Sequence, residues 1–554
     1  MSQETVDFVV VGSGFGGSVS AMRLTEKGYK VLVLERGKRW RDEDFPKSNW
    51  NIFKFLWRPA IRAFGVMQIS LLNDVMALHG SGVGGGSLVY ANVLMEPEDK
   101  LFEAHGWRDL NDWKTVLRPH YDTAKRILGV TINPCLTPAD DVLRRIAQEV
   151  GQSETFRPTN VAVFFGEEGQ EGKTVADPFF NGEGPDRAGC TFCGGCMIGC
   201  RHNAKNTLVK NYLYFAEKWG AEVREESEVM DIKALPDGQP DGARYEVIYR
   251  RSTSLPFDWR RYKVRTRNVV ISAHTLGTMK LLFRCRDVHK SLPKISQKLG
   301  EMVRTNSETI PGSTSRDSRI DYSKGIAITS IFRIDEDTHL EPVRYPIGSG
   351  FIRTLAIPMV GGGGSLLRRS GKIIMHGLRH PTDFLYAKFF GQWARHTTIL
   401  LIMQTEDSTM RMHLGRNLFT GFKRGLVSKL NPGQSISPPF EISHGITRNF
   451  AEKTNGVPQD SIPEAMLGIP TTAHMLGGVP MGRSDADGVV NKNCEVFNYP
   501  GMYVVDGSIM PANPGINPSL TITALAEYAM SNIPAKEGAQ ERPPLGVIQK
   551  QAQP

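Results

Sequence analysis

Residues 6–17 read VDFVVVGSGFGG, an almost uninterrupted apolar run that passes directly into a glycine-rich loop. The apolar, β-branched part predicts a buried parallel strand. The loop satisfies the pattern G-x-G-x-x-G, and a helix is predicted over residues 18–27, ending at Gly28. A second strand is predicted over residues 30–34, and Glu35 follows it. This order of strand, loop, helix and strand predicts a dinucleotide-binding unit.

Each glycine of the loop has its own task. Gly12 makes the tight turn, Gly14 lets the backbone approach a pyrophosphate, and Gly17 lets the helix pack on the strand. The pyrophosphate is expected at the helix N-terminus, and Glu35 is expected to accept hydrogen bonds from ribose hydroxyls. The cofactor-binding residues predicted here are Gly12, Gly14, Phe15, Gly16, Gly17 and Glu35. This segment alone leaves both NAD and FAD open.

A second glycine loop reads HGSGVGGGS at residues 79–87 and is followed by LVYAN at residues 88–92. So many glycines in a short stretch allow positive φ angles and close contact with a flat ring. The loop resembles the one that covers the flavin in the glucose–methanol–choline (GMC) oxidoreductases. This resemblance implies FAD as the cofactor, with contacts from Gly84, Gly85, Ser87 and Asn92.

Three C-terminal segments are similar to the same family. HMLGG at residues 474–478 resembles the segment of the catalytic histidine. YVVDGS at residues 503–508 resembles the strand whose Asp-Gly meets the flavin, and GINPSLTI at residues 515–522 matches the start of the last helix. The sequence is therefore identified as a member of the GMC family with non-covalently bound FAD.

Family membership implies roles for individual residues. His474 would remove the hydroxyl proton as a hydride leaves for the flavin, and Asn517 would orient the hydroxyl. Val229 is a candidate for the adenine pocket. Further cofactor contacts are implied for Asp506, Gly507, Asn517 and Pro518.

Within the family the sequence resembles the sterol oxidases, through GGGSLV at residues 84–89 and EPVRYP at residues 341–346. This resemblance implies oxidation of a cholesterol-like 3-hydroxysteroid to the 3-ketone. It also implies that Glu341 moves a proton between steroid carbons, converting a Δ5 to a Δ4 double bond; a carboxyl group in an apolar pocket has the raised pKa that suits this task. His274 after Ala273 departs from the family pattern and weakens any inference of sugar or aryl-alcohol specificity.

Two other functions stay open for the sequence. The first is a dehydrogenase for another lipophilic alcohol or a sugar, which passes electrons to an acceptor other than oxygen. The second is a flavin-containing lyase, against which the intact His474 and Asn517 argue.

Four cysteines, Cys190, Cys193, Cys196 and Cys200, have ferredoxin-like spacing. They are compatible with an iron–sulfur cluster, with zinc, or with a metal-free loop of thiols or local disulfides. In bacterial ferredoxins the fourth cysteine of such a run serves another cluster and is followed by proline, whereas Arg201 stands here. A cluster would offer the electrons an exit and would favour a dehydrogenase.

The fold class predicted is α/β: a Rossmann-like FAD-binding domain with a discontinuous substrate-binding α+β domain, a sheet covered by helices. The FAD-binding domain is expected to comprise residues 1–100, 190–300 and 470–535. Residues 101–189 and 301–469 are expected to form the substrate-binding and lid regions, and residues 536–554 a disordered tail.

The composition and charge of the chain indicate which cellular location and which classes of partner are expected. The net charge of +9 is compatible with an anionic surface, but no basic run interleaved with aromatic residues indicates nucleic-acid binding. Residues 50–72 and 368–403 combine apolar and basic side chains, as peripheral membrane segments, lids over a pocket or ordinary core helices do. No signal peptide is recognised, so a cytoplasmic location is expected, with peripheral membrane contact as an option.

Overall fold

The computed structural model describes residues 5–255, 257–360, 366–389, 391–430, 440–540, 542 and 545. The α-helices are α1 (Phe15–Glu26), α2 (Ile52–Phe55), α3 (Trp113–Leu128), α4 (Pro138–Glu149), α5 (Tyr212–Lys218), α6 (Thr275–Phe283), α7 (Leu366–Arg379), α8 (Pro381–Phe389), α9 (Trp393–His396), α10 (Phe440–Lys453) and α11 (Ser519–Ser531). The strands are β1 (Val6–Val11), β2 (Val31–Leu34), β3 (Trp57–Arg58), β4 (Ala63–Phe64), β5 (Met67–Leu71), β6 (Met76–Gly80), β7 (Thr131–Ile132), β8 (Arg157–Pro158), β9 (Asn160–Val161), β10 (Thr174–Val175), β11 (Arg187–Ala188), β12 (Glu222–Arg224), β13 (Ser227–Ala234), β14 (Tyr245–Arg251), β15 (Tyr262–Ile271), β16 (Gly312–Ser315), β17 (Ser330–Arg333), β18 (Thr338–Val343), β19 (Ala356–Pro358), β20 (Thr397–Gln404), β21 (Met410–Gly415), β22 (Gly425–Leu430), β23 (Gly456–Ser461), β24 (Thr471–Thr472) and β25 (Met502–Val504).

The first sheet is built around β1. Its parallel neighbours are β2 and β15, so that Val9 lies opposite Leu32 on one side and Val269 on the other. β12 extends the sheet beyond β2, β25 pairs in parallel with the end of β15, and β14 and β13 add an antiparallel edge. All of β1 is buried, as expected for a parallel strand with both faces covered. The predicted Rossmann-like α/β unit is confirmed.

Helix α1 begins earlier than the sequence predicts. Gly14 is its N-cap, so the first helical turn lies inside the glycine motif rather than at Ser18. The apolar periodicity did not mark this turn, because glycines 16 and 17 are poor helix formers in isolation. Tertiary packing decides the outcome: a Cβ on Gly16 would lie 1.6 Å from the carbonyl oxygen of Val505, so only glycine allows this approach.

The second sheet is antiparallel, in the order β19-β23-β16-β20-β18-β17-β8. Helices α4 and α10 cover one face, where Leu340 and Leu400 join their apolar side chains in one core. Successive residues of a strand point to opposite faces, so Glu341 and Val343 share the other face. This sheet with covering helices matches the predicted second α+β unit.

The strands of the first sheet come from residues 6–34, 222–271 and 502–504, all within the segments predicted for the FAD-binding domain. Helix α3 lies in the region 101–189, yet it packs against α11, where the hydroxyl of Tyr121 donates to Thr521 Oγ1 at 2.9 Å. A helix of the predicted substrate-binding region therefore packs against a helix of the predicted FAD-binding domain. The division into domains stays a prediction.

The last segment of the chain is described only in part. Lys536, where the predicted tail begins, pairs with Asp7, and its backbone N–H donates to the carbonyl of Lys27 at 3.0 Å. Beyond residue 540 only residues 542 and 545 are described. The rest of the predicted tail lies outside the described residues.

Candidate active site

A large apolar cavity lies between the two sheets. The space within it that is open to the centre of a water molecule measures about 260 Å³. Its wall is mostly aliphatic and aromatic, with Met76, Val89, Ile310, Ile399, Leu401 and Trp393 as examples. Among the few polar side chains that reach it are His474, Asn517, His79 and His274. A mostly apolar cavity with a few convergent polar groups is the usual form of a small-molecule site.

His474 is held at this cavity by two fixed bonds. Its backbone N–H donates to Thr472 Oγ1 at 2.8 Å, and its ring Nδ1 is hydrogen-bonded to Glu308 Oε1. Since a carboxylate only accepts, Nδ1 carries the proton and Nε2 is left as the acceptor for the cavity. The imidazole is thereby fixed in the tautomer that a general base requires.

Glu308 is a candidate site residue that the sequence did not reveal. Its side chain is fully buried, and its Oε2 accepts the backbone N–H of Ala473 at 2.7 Å while Oε1 also accepts from Asn306 Nδ2 at 3.3 Å. The paired backbones of Arg304 and Leu476 bring this segment beside His474. Glu308 lies in none of the recognised motifs, and only the fold brings it to the histidine.

Asn517 and Glu341 meet at the start of α11. Asn517 Nδ2 donates to Glu341 Oε2 at 3.3 Å, while Asn517 Oδ1 and Glu341 Oε1 are buried and have no partner in the described structure. Burial raises the pKa of the Glu341 carboxyl to about 8, with a further contribution from the charge of Glu308. The three residues predicted to be catalytic are thus brought together, although Glu341 reaches the cavity only through Asn517.

The first glycine loop has the shape of a pyrophosphate cradle. Gly12 has φ +93°, and a Cβ there would lie 2.2 Å from the carbonyl oxygen of Ser272. A Cβ on Gly17 would lie 2.1 Å from the carbonyl oxygen of Gly12. A Cβ on Gly14, by contrast, would meet nothing within 4 Å. The loop is therefore closed toward the protein and open at the helix N-terminus, where an anion is stabilised.

The second glycine loop closes over the first. A Cβ on Gly85 would lie 2.5 Å from Gly14 Cα, and the N–H of Gly84 donates to Ser13 Oγ at 3.1 Å. Ser87 is buried and its Oγ accepts the N–H of Leu208 at 3.0 Å. Asn92 is also buried, with φ +73° and no hydrogen bond to its amide among the described residues. An amide of this kind is available to a bound polar ring system.

Glu35 lies at the end of β2, as predicted, and it also accepts hydrogen bonds from the first glycine loop. Its Oε2 accepts the N–H and the hydroxyl of Ser13 at 3.1 and 2.8 Å, and its Oε1 accepts the N–H of Gly37 at 2.8 Å. Ser227, at the start of β13, donates its N–H to the Glu35 carbonyl at 2.7 Å. Val229 follows on β13 and is half-buried, so the residues expected around ribose and adenine share one edge.

The strand β25 leads to the remaining cofactor contacts. Asp506 is buried, accepts the N–H of Ser508 at 2.9 Å, and has a pKa raised by burial. Gly507 and Pro518 line the large cavity, and the carbonyl of Gly507 accepts the N–H of Gly477 at 2.9 Å. Phe15 lines the same cavity. Phe15 of the first glycine loop, Gly80 and Gly86 of the second, and this segment therefore border one cavity, an arrangement that fits FAD.

A stacked histidine pair forms another part of the wall. The rings of His79 and His274 lie 4.4 Å apart at 12°. Burial lowers the pKa of His274 to about 3 and that of His79 well below its ordinary value, so both are neutral. The sequence indicated His274 only as a departure from the family pattern, and it gave no signal for its partner.

The four cysteines line a second, small cavity beside the second glycine loop. It is lined by Cys190, Cys193, Cys196 and Cys200 together with Lys205 and His202. All four thiols are free. Among the described residues no three of His, Cys, Asp or Glu are grouped as a single metal ion requires. This argues against the zinc interpretation, because zinc draws its ligands to one point.

The two apolar, basic stretches are only partly exposed. In residues 50–72, Phe55 and Trp57 are buried, whereas Trp50, Phe53 and Ile61 are exposed. Residues 368–403 include the exposed faces of α7 and α8 but end in the buried strand β20, and Phe390 lies outside the described residues. No helix in the described ranges is both long and apolar enough to cross a membrane.

Comparison with known proteins agrees with this geometry. A family model described as GMC oxidoreductase matches residues 444–526, and one described as an NAD(P)-binding Rossmann-like domain matches residues 10–40. The chain is 47% identical to a cholesterol oxidase of Acinetobacter baumannii, over 97% of this chain and 96% of that protein. It is 42% identical to a cholesterol oxidase of Mycobacterium tuberculosis, over 98% and 93% of the two chains. Among solved structures, pyridoxine 4-oxidase from Mesorbium loti shares the fold, with a TM-score of 0.61, 15% identity, and coverage of 95% of this chain and 99% of that one.

Proposed function

Because this chain belongs to the GMC oxidoreductase family, and within it to the cholesterol oxidases, we propose that it oxidises the 3-hydroxyl of a sterol to a ketone. FAD is the cofactor, and oxygen is the proposed final electron acceptor. The observation that supports this proposal is His474: its Nδ1 is fixed by the buried Glu308, and the ring lines an apolar cavity beside Asn517.

The residues of the chain perform the proton chemistry. Nε2 of His474 accepts the hydroxyl proton of the substrate, and the buried carboxylate of Glu308 stabilises the imidazolium that forms. The amide of Asn517 holds the hydroxyl oxygen and orients the reacting C–H bond. FAD, when bound, supplies the acceptor for the hydride. The apolar wall excludes water and binds the sterol rings.

We assign the accompanying Δ5 to Δ4 isomerisation to Glu341. Its Oε1 is buried and has no partner within the part of the chain that the structure describes, and its raised pKa of about 8 allows the carboxyl to take up and return a proton near neutral pH. It lies on the same face of β18 as Val343, which lines the cavity. A carboxyl in this place supports transfer of a proton between neighbouring ring carbons.

Anaerobic mixing with cholesterol tests the oxidation. We expect the visible flavin absorption to bleach and to return when oxygen is admitted. The variant His474→Gln should slow bleaching by about 10²- to 10⁴-fold, whereas His413→Gln, at an exposed position of β21, should not. A flavin that dithionite bleaches but no 3-hydroxysterol bleaches would refute the proposal.

We further propose that α7 and α8 rest on a lipid surface from which the sterol enters. On α7, Leu367, Ile374 and Leu378 are 85%, 63% and 72% exposed and share one helix face. The same helix carries basic residues, a combination that favours binding at a membrane interface. Helix α8 packs against residues 351–358, and Leu355 in this segment lines the cavity. Helix α8 therefore lies against a segment that borders the substrate cavity.

Flotation with vesicles of phosphatidylcholine and phosphatidylserine tests this contact. The double variant Leu367→Glu/Leu378→Glu should lower the bound fraction at least about tenfold, since each leucine buried in lipid contributes about 1.5–3 kcal/mol and 1.4 kcal/mol is already tenfold in affinity. Ile132→Glu is the matched control, because this isoleucine is 59% exposed on β7, outside both apolar, basic stretches. Equal binding of both variants would contradict the proposal.

A further inference from the structure

The four cysteines remain unexplained by sterol oxidation. Cys190 follows β11, Cys193 forms a bridge with Gly325, and Cys196 opens a short 3₁₀ turn that leads to Cys200. All four border one cavity, whose space open to the centre of a water molecule is about 20 Å³. The fourth cysteine thus joins the other three, although the proline typical of ferredoxins does not follow it.

We propose that this cavity is the binding site of an iron–sulfur cluster of the [4Fe–4S] class, ligated by Cys190, Cys193, Cys196 and Cys200. In such a cluster each thiolate binds a different iron, so the sulfurs surround a core rather than a point. Four cysteines line the cavity, the number of ligands that such a core requires.

The backbone of the cysteine segment turns around the cavity through several residues with positive φ. Phe192, Gly194 and Gly199 have φ values of +52°, +71° and +93°. These left-handed turns direct the chain around the cavity, and the N–H of Phe192 donates to Cys190 Sγ at 3.4 Å. Hydrogen bonds to sulfur of this kind tune iron–sulfur centres. A Cβ on Gly194 would lie 2.4 Å from the Ser323 carbonyl oxygen, so this path of the backbone depends on glycine.

Two buried basic side chains, Lys205 and Arg187, lie near the four cysteines. Lys205 lines the cavity, and among the described residues its Nζ donates to the carbonyls of Leu88, Tyr90 and Cys196, at 3.0, 2.9 and 2.7 Å. Arg187 is also buried; it donates to Asn203 O and Asn206 Oδ1, and its Nη2 has no partner among the described residues.

In the described structure neither side chain forms an ion pair with a carboxylate, and a negative group in the cavity would stabilise the charged form of both. A cluster held by four thiolates carries a net negative charge and would be such a group.

The site is coupled to the flavin loop and to the large cavity. Lys205 joins the Cys196 turn to Leu88 and Tyr90, which end the second glycine loop. Met197, next to Cys196, lines the large cavity. The cluster would therefore stand beside the space that we assign to FAD and the sterol, where it would offer electrons an exit in addition to oxygen.

Iron and sulfide analysis of the full-length protein, purified without oxygen, tests the proposal. We expect about four iron atoms and about four acid-labile sulfides per chain, a broad absorption that persists after FAD is removed, and an electron paramagnetic resonance signal after reduction by dithionite. Cys193→Ser and Cys200→Ala should lose the iron. Cys135→Ser, at a half-buried free cysteine outside the cavity, should keep it.

The wild-type measurement decides the question even if a variant fails to fold. Less than one iron per chain, both as purified and after anaerobic reconstitution with ferrous iron, sulfide and thiol, would overturn the proposal. Stoichiometric zinc in place of iron, or a disulfide among the four cysteines in the anaerobic protein, would overturn it as well. None of these results depends on whether the chain oxidises sterols.

Discussion

Replacing Glu308 by glutamine tests whether this carboxylate fixes the tautomer of His474, the candidate general base. Both carboxylate oxygens are acceptors: Oε2 binds the N–H of Ala473 at 2.7 Å, and Oε1 binds His474 Nδ1 and, at 3.3 Å, Asn306 Nδ2. A glutamine has only one acceptor oxygen, so its amide NH₂ must face a donor in either orientation.

The two orientations of the glutamine amide set the lower and upper limits of the expected loss in the rate of flavin reduction. If the NH₂ faces Ala473, the histidine keeps its tautomer but loses a charge-assisted hydrogen bond of about 1.5–3 kcal/mol, about 10- to 150-fold in rate. If the NH₂ faces His474, the proton moves to Nε2 and the base is lost. An amide in place of the orienting carboxylate lowers kcat by about 10⁴-fold in a serine protease. We therefore expect Glu308→Gln to slow flavin reduction by about 10- to 10⁴-fold.

Stopped-flow measurement of anaerobic flavin bleaching by cholesterol isolates this step. FAD content and thermal midpoint are measured in parallel to confirm that the variant is folded and loaded. Glu464→Gln is the matched control: this carboxyl is equally buried, accepts the N–H of Thr471 at 3.1 Å, and has a pKa raised by burial to about 8. Bleaching of Glu308→Gln at the wild-type rate would refute the reasoning.

Two other predictions concern Glu341 and Gly14. Glu341→Gln should spare oxidation and abolish isomerisation; in the wild type, isomerisation should rise as the pH increases toward about 8, because the ionised carboxylate takes the proton. The contribution of the Glu341 carboxyl to the free energy of unfolding is full below its ordinary pKa and is lost as the pH rises through about 8. The thermal midpoint of the wild type should therefore fall more with rising pH than that of Glu341→Gln. Equal pH profiles for the two proteins would contradict the assignment. Gly14→Ala should fold, since its Cβ meets no protein atom, yet bind FAD at least about tenfold more weakly because the Cβ enters the cradle. Gly445→Ala, also with open space around its Cβ, is the control, and unchanged FAD affinity of Gly14→Ala would show that the pyrophosphate lies elsewhere.

The sequence predicted what local chemistry determines. β1, its glycine loop and β2 follow from apolar runs and from the conformational needs of glycine, and His474 and Asn517 follow from short motifs. The start of α1 did not follow, because packing of Gly16 against Val505 outweighs helix propensity. Glu308 did not follow either, since its role depends on a backbone bridge between distant segments. The spacing of the cysteines was visible in the sequence, but only the fold shows that the buried Lys205 and Arg187 lie near them.

The pairing of β25 with the end of β15 has a consequence for folding during synthesis. Val269, Val270 and Ile271 reach their partners only when Met502–Val504 have left the ribosome, after most of the chain is made. Until then the central sheet of the nucleotide unit has an unpaired apolar segment, which favours association with other chains. We therefore expect nascent chains that end before residue 502 to depend on chaperones, and FAD to bind only after synthesis is complete.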